Sequence, residues 1–110
     1  MNKVISVAAC ASLLIAGLSA FGATKPGDVA KGKEAFEANC AVCHNADSTE
    51  TKVGPGLKGL FKMPKLVNGK PVTEANVREL INMGGNGMPA YADQLSDQDK
   101  NDVIAYLKTL

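Results

Sequence analysis

The chain has 110 residues, with 12 Lys+Arg against 11 Asp+Glu, one His, three Cys, three Phe, two Tyr and no Trp. That length holds one small domain at most, and a formal net charge of +1 offers no basic stripe for nucleic acid and no charged tail for a partner. Residues 1–23 hold 16 of the 50 apolar residues, so the rest of the chain has only 23 apolar side chains larger than Ala and Cys, four of them aromatic; so small a core needs a metal, a disulfide or a cofactor to staple it.

The first element reads as a leader. Asn2 and Lys3 precede an uncharged apolar stretch, Val4 to Ile15, and small residues follow, ending Ala20-Phe21-Gly22-Ala23. Ala20 and Gly22 stand three places and one place before a cut, which predicts a secretory signal over 1–22, with cleavage after Ala23 as the alternative. The mature domain is then 23–110 and its destination the periplasm. Two rival readings are weaker. Val4 to Ala23 is long enough to stay uncleaved as a membrane anchor, but six of its 20 residues are Ala and five are Ser or Gly. Val7-Ala8-Ala9-Cys10 resembles a lipoprotein box but would leave a short apolar core before it.

Three helices follow. Asp28 is placed to cap the first, from about Val29 to Cys40, after a Pro26-Gly27 turn. Gly32, Phe36 and Cys40 share one of its faces. The second begins after Thr73, carries Val77, Leu80 and Ile81 on one stripe, and stops at Gly84-Gly85, where glycine accepts a left-handed backbone. The third starts after Ser96, which forms a capping box with Asp99, and its apolar residues Val103, Ile104, Leu107 and Leu110 predict a helix to the chain end. Between the first two, Asn45 to Val72 is rich in Gly, Pro and Lys. It is too irregular for a sheet and long enough to be wrapped on something.

The chemistry concentrates in Cys40-Ala41-Val42-Cys43-His44, which holds every Cys and His outside the leader. This is the spacing of covalent c-type haem attachment. One helical turn sets two thiols on one face, where each can add to a haem vinyl group, and the next residue projects an imidazole at the iron. A structural zinc site lacks its remaining ligands, a redox dithiol lacks a βαβ setting, and a disulfide across so short a loop would staple almost nothing.

Four segments in order, Gly32 to His44, Val53 to Phe61, Gly87-Met88-Pro89-Ala90-Tyr91 and Asp102 to Leu107, resemble class I cytochromes c over nearly all of the mature chain. The resemblance implies an all-α cytochrome c fold, three to four helices wrapped around one haem c, and a monomer. It implies a methionine as the second axial iron ligand. Met88, between the second and third helices and flanked by Gly87 and Pro89, takes that place. Met63 is the runner-up, and Met83, beside Ile81, reads as packing. It further implies that the Pro55 carbonyl accepts the free N–H of His44, and that the first and last helices cross at Gly32, Phe36 and Tyr106.

With both axial positions filled, the implied task is one-electron transfer between respiratory or photosynthetic partners rather than enzymatic turnover. The alternatives are a haem subunit of a multiprotein oxidoreductase and, weaker, a peroxidase or gas binder with an open sixth position. Lys52, Lys58, Lys62, Lys65 and Lys70, with no acidic residue among them, form a candidate rim for docking redox partners, or simply a solvated loop.

Overall fold

The computed structural model describes residues 24–110; the expected leader 1–22 and its alternative as an anchor lie outside them. Three α-helices, α1 (Val29–Asn39), α2 (Glu74–Met83) and α3 (Asp97–Leu107), carry the fold, and a single 3₁₀ turn, Leu60–Lys62, interrupts the long connection between α1 and α2. No strand forms among the described residues, only isolated bridges at Lys65 with Pro71 and Gly85 with Met88.

Short polar side chains start each helix. Asp28, Thr73 and Ser96 accept from the backbone N–H three residues on, and Ser96 and Asp99 complete the reciprocal capping box. The ends depart from the periodicity in two places. Cys40 caps α1 instead of ending it, because Cys40 and Ala41 both donate to the Phe36 carbonyl, at 2.7 and 3.0 Å, and the last turn widens. α3 stops at Leu107 instead of running to Leu110. Thr109 explains this, since its backbone N–H and its hydroxyl both donate to the Tyr106 carbonyl, a local bond that competes with the helical ladder.

α1 and α3 cross in close contact. Gly32 is buried at the crossing, where a Cβ would run into the Asp102 carbonyl and lie 2.9 Å from the Tyr106 Cβ. Glycine is what lets the two backbones approach. One turn further on, Phe36 meets Tyr106 edge to face at 5.4 Å, a geometry that aromatic quadrupoles favour. The predicted trio therefore does meet. Asp102, 3% exposed, adds a polar clasp by accepting from the Asp28 backbone N–H at 2.8 Å and the Gln98 amide at 3.0 Å. Gln98 and Asn101 also hold the Lys25 backbone, so the segment before α1 is stitched along α3.

Met83 does not pack. It is 73% exposed, because it lies about 200° around α2 from Ile81, off the stripe that Val77 and Ile81 bury. The crossing generates the first prediction. Gly32→Ala lowers the unfolding free energy of the haem-loaded protein by about 2 kcal/mol, read from guanidinium denaturation; an unchanged midpoint would mean that the helices can part without cost.

Candidate functional site

Nine apolar side chains form the buried core, and all but Leu95 and Ile104 line a single cavity of about 550 Å³. Most of the core therefore borders this space besides packing on other side chains, as Phe36 does on Tyr106. The same walls bring together Cys40, Cys43, His44, Met63 and Met88, residues from the end of α1, the long connection and the loop after α2.

The Cys40–His44 turn prolongs α1. Cys43 and His44 both donate their backbone N–H to the Cys40 carbonyl, at 3.1 and 2.9 Å, which keeps both cysteines on the cavity wall. Neither is in a disulfide. Burial, and then the neighbouring Cys43, pushes the Cys40 thiol from 9.0 up to about 11, since desolvation disfavours the thiolate.

The His44 ring is set from two sides. Its Nδ1 lies 2.7 Å from the Pro55 carbonyl oxygen. A carbonyl can only accept, so in the neutral ring Nδ1 carries the proton and Nε2 keeps its lone pair for a metal. Opposite, Gly54 lies flat against the ring, and a Cβ there would come within 2.5 Å of Cε1 and 2.9 Å of Nδ1. Gly54 in turn donates to the Cys43 carbonyl at 2.7 Å. The spacing of the motif pointed to His44 but assigned no role to Gly54, whose importance lies in the side chain it lacks.

Met88 stands on the other wall, presented by a two-residue turn. Gly85 and Met88 exchange both backbone hydrogen bonds at 3.0 Å, around Asn86 at φ 52° and Gly87 at φ 89°. Asn-Gly with two positive φ angles is the signature of a type I′ turn. Gly84 packs so closely beneath that a Cβ would lie 2.7 Å from the Pro89 carbonyl carbon. Beyond it Tyr91 is held by its backbone N–H to Ile81 at 2.9 Å and by its hydroxyl to the Asn39 carbonyl at 3.0 Å. Burial first, then Cys40 and Cys43, raises the Tyr91 phenol above its usual value. Met63 also reaches the cavity, so both methionines of the sequence-based ranking are present, and Met83 is not.

Comparisons with known proteins agree with this architecture. A family model described as "Cytochrome C oxidase, cbb3-type, subunit III" matches residues 27–107. Cytochrome c6 of Leptolyngbya boryana is 38% identical over 80 residues, covering 73% of this chain and 89% of that one. The cytochrome bc1 complex cytochrome c subunit of Corynebacterium diphtheriae is 38% identical over 85 residues, covering 76% of this chain; the chain spans only 28% of that longer protein. The crystal structure of cytochrome c6 from the diatom Phaeodactylum tricornutum superposes with a TM-score of 0.61 at 30% identity, covering 76% of this chain and 93% of that one.

An apolar cavity walled by helices and loops, with two thiols, an imidazole and a thioether on its lining, fits a haem of the covalent type. The chain belongs to the class I monohaem c-type cytochromes, and its cofactor is one covalently bound haem c with its iron.

The thiol reports on the cavity in the unloaded chain. A pKa raised by folding contributes stability that is full below the ordinary thiol value and is lost as pH rises through about 11. Because so much of the core faces the cavity, the unloaded chain is expected to be largely unfolded. Alkylation of its Cys40 by iodoacetamide should then show a midpoint near the ordinary value; a midpoint near 11, with helical circular dichroism, would contradict this.

Proposed function

We propose that Cys40 and Cys43 attach the haem, that His44 and Met88 hold its iron from opposite faces, and that the chain works in the periplasm after loss of residues 1–22 or 1–23. The observation that carries this reading is the 2.7 Å contact between His44 Nδ1 and the Pro55 carbonyl, inside a cavity that Met88 lines from the loop beyond α2. As a member of its family the chain is an electron carrier and not an enzyme.

Haem c supplies one Fe(II)/Fe(III) couple. The Pro55 carbonyl holds the imidazole in the tautomer that leaves Nε2 basic. The Met88 thioether and the apolar walls favour the less charged Fe(II) and so raise the potential. With His44 and Met88 both holding the iron, no coordination position would be left for a substrate, and the group would supply outer-sphere one-electron transfer. Val53 and Val67, 76% and 65% exposed, lie on the cavity lining and make an apolar mouth there. Met63 then fills the wall. Among the described residues no helix is long and apolar enough to cross a membrane.

The docking rim narrows from five lysines to three. Lys70 pairs with Glu79 at 2.7 Å and Lys52 donates to the Ala41 carbonyl at 3.0 Å, whereas Lys58, Lys62 and Lys65 are exposed and make no ion pair among the described residues. They steer an anionic partner. A second reading, a haem subunit of a larger oxidoreductase, is favoured by the likeness to a bc1 complex subunit; co-purification with a membrane complex at stoichiometric yield would select it.

Two experiments test the carrier. The intact mass of the periplasmic protein should equal the chain from Ala23 or Thr24 plus one haem, and its oxidised spectrum should show the weak far-red Met-to-Fe(III) band that Met88→Ala abolishes. A band that survives in Met88→Ala and disappears in Met63→Ala would transfer the ligand to Met63. Secondly, Lys58→Glu with Lys62→Glu should slow oxidation by hexacyanoferrate(III) several-fold at low salt and speed oxidation by a cationic cobalt(III) complex; equal rates would remove the rim.

A further inference from the structure

The two walls of the cavity come from distant parts of the chain. Cys40 and His44 belong to the end of α1, and Met88 to the loop after α2. A direct tie between these walls runs from the Tyr91 hydroxyl to the Asn39 carbonyl, 3.0 Å apart and 52 residues apart in sequence. Asn39 is the residue before Cys40, and both it and Tyr91 line the cavity.

The chemistry of the two partners explains why the tie forms. The Asn39 carbonyl is among the last four of α1, which have no partner within their own helix. The phenol of Tyr91 reaches across and satisfies it, while the Tyr91 backbone is fixed to Ile81 at 2.9 Å. Tyr91 stands three residues beyond Met88. Where the Met88 sulfur leaves the cavity with its backbone, the segment from Gly85 to Tyr91 moves away from α1, and the Asn39 bond resists that movement.

We propose that Tyr91 is a positioning residue that holds the Met88 wall closed against the Cys40–His44 wall and thereby keeps small ligands from the iron. The inference rests on the His44/Met88 reading above. It assigns to one hydroxyl a share of the closure that separates a carrier from a ligand binder whose Met88 side opens. The phenyl ring alone would still fill its place on the wall, so Tyr91→Phe removes the tie and little else.

The test is an imidazole titration of the oxidised, haem-loaded protein, followed by the far-red band that is lost when the sulfur is displaced. Tyr91→Phe should bind imidazole roughly fivefold more tightly than the parent, the ratio expected from the net worth of one neutral hydrogen bond. Tyr106→Phe serves as the control. Its ring packs on Phe36 at the α1–α3 crossing, its hydroxyl donates no bond among the described residues, and its imidazole affinity should equal the parent's even if its melting temperature falls. Equal affinities for Tyr91→Phe and the parent would overturn the tie while leaving the ligand assignment standing. A parent protein with no far-red band would overturn both. A gain of the same size in Tyr106→Phe would show that general loosening of the fold, not the tie, controls access.

Discussion

Among the described residues, seven of the nine buried apolar side chains border one cavity, and the rest of the fold is arranged around that constraint. Of the nine core side chains, only Leu95 and Ile104 stand clear of the lining. A domain of this size buries too little surface to be stable on side-chain contacts alone. The covalently bound haem c of the family supplies apolar contacts that the side chains lack.

The walls divide the work between them. The Cys40–His44 wall is rigid because it continues α1 and because the loop from Asn45 to Leu57 is pinned back on it, with Gly54 bonded to Cys43 and Leu57 to Asn45. The Met88 wall rests on a two-residue turn, and its order is supplied from outside by the Ile81 and Asn39 carbonyls. Such an arrangement suits an electron carrier. Walls tied together by several hydrogen bonds leave little of the cavity lining free to rearrange.

Buried polar groups away from the cavity serve the scaffold. Lys100 is 4% exposed on α3, which also buries Asp102. Its Nζ donates to the Ala92 carbonyl at 3.0 Å and stands 3.8 Å from Asp97. That bond fastens the start of α3 to the segment that follows Met88. Asp102 does the same for the segment that precedes α1. Each of these charges is buried with a partner, as burial requires.

The sequence by itself carried the attachment spacing and the helix starts, because these depend on residues close together; the resemblance implied the α1–α3 crossing, and the fold brings Gly32, Phe36 and Tyr106 together there. Cys40, Cys43 and His44 are adjacent, Asp28, Thr73 and Ser96 act on their own neighbours, and Gly32 and Phe36 lie on one face. Only the tertiary structure decided the rest. That Gly54 must lack a side chain, that Met83 points to solvent, that Lys70 is spent on Glu79 and that Tyr91 reaches Asn39 are facts about groups far apart in sequence or about orientation around a helix axis. Contacts of that kind exist only after the chain has closed around its cavity, and no local spacing encodes them.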